Sequence, residues 1–360
     1  MTSSVWAVIM AGGVGARFWP LSRLERPKQF LSVFSAEPLL AETVHRLGGQ
    51  LDAAHILVVT NALHVERTRE LLPELPPENV IGEPVGRNTA ACIALSAKLI
   101  RDREPDSRVI VLPADHFVGD AEEFLCTLER ALLACQGGHL VTLGIAPDRP
   151  ETGYGYIQHG EEELSAGVHP VRTFAEKPNL ATALRFLRSG DFLWNSGIFV
   201  WENDALIAAL ETWLPETWEA IAALQGAPGQ SDFGAELAAC YAGLRPVSID
   251  VGVMEPAARV AGKVRVIRAS FPWNDVGTWA EVHRMLEGDG EGNTTQGEAL
   301  FVNSRNCHVQ ADRRTVVLLG MQDTIVVDTP DALLVCPLSQ DQEIRQVIQR
   351  LKEEGLHELL

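Results

Sequence analysis

Residues 5–30 read VWAVIMAGGVGARFWPLSRLERPKQF: an apolar run, then Gly12, Gly13 and Gly15, then Arg17, Arg23, Arg26 and Lys28 against a lone Glu25. The run is continuous rather than alternating, which implies a strand covered on both faces, as in a parallel sheet. Glycines directly behind such a strand let backbone N–H groups come close to phosphate oxygens. Two familiar versions of this loop do not fit. The dinucleotide fingerprint needs a third glycine where Phe18 stands, and the Walker pattern needs Gly-Lys-Ser/Thr. Taken alone, a tight turn after a buried strand would explain the glycines. Arg17 and Lys28, on a loop stiffened by Pro20 and Pro27, add the cations that an anion site requires.

Outward from this stretch, short β-rich runs recur at 55–60, 108–115, 139–145, 197–201 and 264–269. Between several of them lie helix-like segments: 38–47 after Pro38 and before Gly48-Gly49, 62–72 before Pro73, and 88–104 before Pro105. This is a βαβ series. After about residue 288 the texture changes. GDGEGNTTQG is a polar, glycine-rich linker, and EALFV, NCHVQ, RTVVLLG, DTIVVD and DALLVC follow as closely spaced short strands. Such spacing suggests stacked rungs of a small β-solenoid or a compact β-domain, closed by an amphipathic helix at 339–353. The expected division is therefore 1–288 and 289–360.

The 360 residues carry a formal net charge of -18. That balance argues against nucleic acid or an anionic membrane as a partner, and leaves anionic small molecules only where a local positive pocket exists, as at 17–28. Six cysteines without a C-x-x-C pair read as free thiols in a reducing compartment, and VWAVIMA is too short to span a bilayer, so a cytoplasmic location is expected. An exposed β-domain edge and a terminal helix are compatible with a homodimer.

The string GGVGARFWPLSRLERPKQF resembles the signature of sugar-nucleotide pyrophosphorylases, and its Phe-Trp-Pro-Leu-Ser and Arg-Pro-Lys-Gln-Phe portions resemble the mannose-1-phosphate guanylyltransferase branch. Ala16 departs from the Thr or Ser common in the family before the arginine. The resemblance implies an α/β fold: a Rossmann-like, GT-A-like mixed and mostly parallel sheet with helices on both faces, plus a small C-terminal left-handed β-helix. It also implies that Ala11, Gly12, Gly13 and Gly15 cradle a triphosphate and that Arg17 and Lys28 are the catalytic cations.

Open parallel sheets bind ligands beyond the carboxyl ends of their strands, where LPADH places Asp115. Asp275, in FPWNDVGTW, follows another predicted strand. Taken singly, an aspartate at such a place is an ordinary helix cap. By resemblance the two match the family's Mg²⁺ ligands, while His116 is expected to be structural, because Mg²⁺ prefers oxygen. EPVGRNTA matches a segment that borders the nucleobase, giving Gly86, Arg87, Asn88 and Thr89 as candidates, although Asn88 or Thr89 also reads as an N-cap and Ala91 replaces a common proline. ETGYGYI, FAEKP and WNSGIF match segments that hold the sugar phosphate, which implicates Gly155, Glu176, Lys177 and Asn195. Read without the family, these are a bent strand, a solvated turn and a hairpin corner. The implied reaction takes GTP and mannose 1-phosphate to GDP-mannose and pyrophosphate with Mg²⁺. The rivals are another hexose 1-phosphate or nucleotide, and a non-catalytic regulatory protein that binds a sugar nucleotide.

Overall fold

The computed structural model describes residues 4–13 and 15–360. By contacts the chain divides into two compact units, one of Met1–Gly12, Val44–Pro113 and Val118–Trp273, the other of Gly13–Thr43, Ala114–Phe117 and Asn274–Leu360. The strands up to residue 274 are β1 (Val5–Ala11), β2 (Ile56–Asn61), β3 (Val80–Glu83), β4 (Arg108–Pro113), β5 (Phe117–Val118), β6 (Leu140–Ile145), β7 (Tyr156–His159), β8 (Val168–Ala175), β9 (Phe192–Glu202), β10 (Val264–Ala269) and β11 (Trp273–Asn274).

The first unit is built on a nine-stranded sheet in the order β3-β2-β1-β4-β9-β6-β10-β8-β7. Its β1–β4 half is parallel, as the apolar runs predict, with Ala7 opposite Ile56 and Ile110. The run at 197–201 turns out differently. It is the end of the longer β9, which lies antiparallel to both β4 and β6 and shifts register between Thr142 and Gly144. A parallel strand needs a crossover connection, whereas β9 is reached through a short return from the helix Leu180–Ser189. That helix begins at Asn179, whose side chain accepts from Thr182 N, and stops at Gly190, where φ is 77°.

The helix Asn88–Arg103 is buried along the whole of residues 90–100, because it is covered by β1 on one side and by the helices Asn203–Trp213 and Pro215–Ala222 on another. Small residues there (Ala90, Ala91, Ala94, Ala97) let those neighbours approach closely. Neither Asn88 nor Thr89 caps it: the N-cap position is Arg87, and Asn88 has φ 65°.

The second unit contains the strands β12 (Thr294–Gln296), β13 (Ala299–Val302), β14 (His308–Ala311), β15 (Val316–Leu319), β16 (Thr324–Asp328) and β17 (Leu333–Pro337). These stack as parallel rungs: Thr294 faces His308, His308 faces Ile325, and Ala299 faces Val316, before β17 turns back antiparallel. Cys307, Val309, Leu318 and Val326 fill the rung interior. The expected helix at 339–353 is split into a 3-10 segment, Leu338–Glu343, and an α-helix, Ile344–Glu353. All six cysteines are free. Among the described residues no helix is long and apolar enough to cross a membrane.

Candidate active site

In the second unit the glycine loop closes directly onto Lys28. Gly15 has φ 60°, and a Cβ placed there would lie 2.2 Å from Lys28 Cβ and 3.1 Å from its backbone N and Cα. No side chain fits, so glycine is required both for the left-handed backbone and for the approach. Ser22 Oγ donates to Gly15 O at 3.0 Å and fixes the loop from its other side. Phe18 packs edge-on against Trp279 at 5.0 Å between centroids, anchoring the 3-10 turn Ala16–Phe18 that carries Arg17.

Lys28 is 5% exposed. Its ammonium pairs with Asp115 Oδ2 at 2.9 Å and donates to the backbone carbonyl of Asp275 at 2.5 Å, so one cation draws together two aspartates that are far apart in sequence. Burial alone would raise the Asp115 carboxyl. The Lys28 ammonium, with its hydrogen bond, and His116 outweigh that effect and hold the group below the ordinary aspartate range. His116 Nε2 stands 4.0 Å from Asp115 Oδ1. Asp275 sits ahead of a tight turn in which Val276 N donates to Asn274 Oδ1 and Gly277 N donates to Glu281 Oε2. Arg17 has its Nε buried without a hydrogen-bond partner. Burial and the Arg345 guanidinium lower its pKa, while Asp275, Asp341 and Glu281 act in the opposite sense.

No group of three or more His, Cys, Asp or Glu side chains that could hold a metal occurs among the described residues. Mg²⁺ does not need one, since it takes one or two carboxylates and completes its octahedron with phosphate oxygens and water. Asp115, ionised and with its side chain 30% exposed, fits that requirement.

The first unit gathers the residues expected to hold the sugar. A Cβ on Gly155 would fall 2.7 Å from Glu176 Oε2 and 3.3 Å from Asn195 Cβ, so the three are in mutual contact. Asn195 is no hairpin corner. It lies within β9, where its Oδ1 accepts from Thr142 Oγ1 at 3.2 Å and from Gly197 N at 3.2 Å, while its Nδ2 donates to Asp250 Oδ1 at 2.7 Å. Lys177, expected to face a sugar phosphate, pairs with Glu176 at 3.0 Å and is largely exposed. The base-side residues are engaged otherwise. Arg87 donates to the carbonyls of Tyr241 and Ala242, and Thr89 Oγ1 accepts from Ile249 N. Asn88 Oδ1 accepts from Thr89 N, and a Cβ on Gly86 would meet nothing within 4 Å. Ala11 O accepts from Thr60 Oγ1, and Gly12 abuts Glu83.

Two acids here were not singled out by the sequence. Glu83 ends β3 and is 6% exposed, and burial raises its pKa to about 7. Asp250, on the segment Asp250–Met254, is raised to about 6 by burial and then by Glu176, with Asn195 and Lys177 drawing it down. An acid raised in the fold above its unfolded value of about 3.9 holds its proton in the folded protein first, so this part of stability is present at low pH and is lost as pH rises through about 6. Asp250→Asn keeps an acceptor for Asn195 and removes that loss. Its melting temperature relative to the wild type should therefore climb between about pH 4 and pH 7, and thermal unfolding at both ends measures it. A difference that does not change with pH would contradict the assignment.

Residues 6–291 match the nucleotidyl transferase family model, and residues 297–351 match that of the mannose-phosphate isomerase/GMP-like β-helix domain. A Vibrio cholerae protein described as a putative mannose-1-phosphate guanylyltransferase is 37% identical over 352 residues, which is 97% of this chain and 74% of that one. The Escherichia coli mannose-1-phosphate guanylyltransferase is 37% identical over 351 residues, 96% of this chain and 74% of that one. A crystal structure from Thermus thermophilus, described as a mannose-1-phosphate geranyltransferase, superposes with a TM-score of 0.87 at 36% identity, covering 97% of this chain and 99% of that one. A nucleotidyl transferase domain followed by a β-helix domain, with relatives this similar over nearly the whole length, makes this chain a member of the nucleotidyl transferase family, in its mannose-1-phosphate guanylyltransferase branch.

Proposed function

We propose that this chain transfers GMP from GTP to mannose 1-phosphate, giving GDP-mannose and pyrophosphate, with residues 1–288 as the catalytic domain and 289–360 as the β-helix domain. One observation carries the reading most directly: Lys28, enclosed by the glycine loop, holds the Asp115 carboxylate and the Asp275 main chain together. The names of the relatives supply the substrates.

A phosphate oxygen of the sugar phosphate attacks the α-phosphorus in line. A new P–O bond forms, the α–β anhydride breaks, and its electron pair leaves on pyrophosphate. The second pKa of a phosphate monoester is about 6, so the attacking oxygen is already ionised at neutral pH and needs no protein base. The obstacle is charge, because two polyanions must meet and more negative charge develops on the leaving group. Backbone N–H groups at Ala11, Gly12, Gly13 and Gly15 cradle the triphosphate, and Arg17 and Lys28 offset charge on the β- and γ-phosphates. Asp115 and Asp275 would hold Mg²⁺, which supplies Lewis-acid neutralisation of the phosphates when bound. Glu176 and Asn195 orient sugar hydroxyls, Gly155 admits the ring closely, Lys177 exchanges Glu176 for the sugar phosphate, and Gly86, Arg87, Asn88 and Thr89 border the base.

Pyrophosphate release across a grid of nucleoside triphosphates and hexose 1-phosphates tests the reading. GTP with mannose 1-phosphate should turn over fastest, EDTA should stop it, and added Mg²⁺ should restore it. A different preferred pair would reassign the substrates, and no release from any pair would leave only binding.

A further inference from the structure

We propose that Arg345, on the helix Ile344–Glu353, is a third phosphate-binding cation, which works beside Arg17 to hold the pyrophosphate end of the nucleotide. The assignment rests on the nucleotidyl-transfer reading above, in which Arg17 serves the β- and γ-phosphates.

Packing inside the second unit brings the two arginines together. The helix Ile344–Glu353 lies against the 3-10 turn Ala16–Phe18 that carries Arg17. Ile344 and Phe18 are buried in one apolar cluster, and Val347, Ile348 and Leu351 of the same helix pack against it. Positions 344, 347, 348 and 351 form one helical stripe, which fixes the side of the helix that meets the loop. Arg345 follows Ile344 at the edge of that stripe, and one turn further on Ile348 lines a groove together with Ala16. The loop is also held to the end of the chain, since Trp19 Nε1 donates to Leu359 O at 2.8 Å.

Neither arginine is neutralised by the fold. Arg17 Nε is buried without a hydrogen bond, and among the described residues neither guanidinium forms an ion pair or a hydrogen bond. The acids around Arg17 serve other groups: Asp341 accepts from Ala280 N at 3.0 Å, Glu281 accepts from Gly277 N at 2.8 Å, and Asp275 is assigned to Mg²⁺. After burial, Arg345 is the strongest influence on the Arg17 pKa, and it acts downward, ahead of the opposing effect of each of those acids. Two guanidiniums held together at such a cost fit a site that an anion completes. Pyrophosphate answers that need, because each guanidinium presents its N–H donors as a planar fork matched to phosphate oxygens, and two forks can grip two linked phosphoryl groups. Arg345 is exposed, so it meets an anion arriving from solvent without disturbing the core.

The reverse reaction, GDP-mannose with pyrophosphate, isolates the ligand. In Arg345→Ala the KM for pyrophosphate should rise about tenfold, the loss of one charge-assisted hydrogen bond at an exposed position. The KM for GDP-mannose should stay within about threefold of wild type, and the melting temperature should hold, because no ion pair or hydrogen bond of the fold is removed. Arg345→Lys, which keeps the charge without the fork, should fall between the two. A pyrophosphate KM within about twofold of wild type in Arg345→Ala would overturn the proposal, and so would equal rises in both KM values, which mark a helix that only props the loop. Should the wild type not consume GDP-mannose and pyrophosphate at all, the nucleotidyl-transfer reading fails instead. Calorimetric titration of magnesium pyrophosphate into wild type and Arg345→Ala then still tests Arg345 by the same tenfold ratio, and equal affinities, or no binding by either, would overturn the proposal.

Discussion

Lys28→Ala should lower turnover by roughly two to three powers of ten, because an ammonium aimed at developing phosphate charge contributes about 3–4 kcal/mol of transition-state stabilisation. The same change removes the partner of Asp115 and the donor to the Asp275 carbonyl. Breaking a buried ion pair costs about 3–5 kcal/mol, and less here because the Asp115 side chain keeps 30% exposure. Stability and catalysis are therefore separable only with a second variant. Lys28→Gln retains an N–H donor without the charge, so it should recover part of the lost melting temperature and little of the lost turnover. Both variants should also raise the Mg²⁺ concentration for half-maximal activity, since Lys28 is what draws the two aspartates together. Turnover within about threefold of wild type in a folded Lys28→Ala would remove Lys28 from the chemistry.

How far the sequence disclosed this arrangement depends on how local each feature is. The first strand, its glycines and the rungs after residue 294 were legible because each is written in a few neighbouring residues: an unbroken apolar run, a Gly cluster, short strands with regular punctuation. Asp115 and Asp275 could be named as candidates only by joining their strand-end positions to the family resemblance. That one lysine ties them together could not be, since Lys28 and Asp275 are joined only by the fold and the Asp275 contact is to its backbone. Arg87 and Thr89 look like ligand-binding residues in EPVGRNTA, yet their side chains serve carbonyls and an amide of distant segments. Glu83 opens the same string, and only its burial in the fold sets it apart. Without the family Asn195 reads as a turn residue, because Asn-Ser-Gly is turn chemistry, and antiparallel pairing toward β6 and β7 overrode that preference.

Gly15→Ala should be the most damaging single-methyl change in the glycine loop. A non-glycine residue at φ 60° costs about 1–2 kcal/mol on backbone grounds alone. The added Cβ would also lie 2.2 Å from Lys28 Cβ and 3.1 Å from Lys28 backbone atoms, which no rotamer change can relieve, so the loop and the lysine must separate. Such overpacking adds roughly 1–3 kcal/mol, and the lysine then leaves its place against Asp115. Turnover should fall by at least about two powers of ten, because an error of about 1 Å in a positioned group costs that much. The causal claim is that the glycine acts through Lys28, and a double-mutant cycle isolates it. If it holds, Gly15→Ala and Lys28→Ala are strongly non-additive in turnover, since displacing a lysine that is already gone removes nothing further. Their effects on melting temperature, arising from backbone strain in one case and a lost ion pair in the other, should come closer to adding. Additive losses in turnover would mean that Gly15 serves the triphosphate through its own N–H and not by seating the lysine.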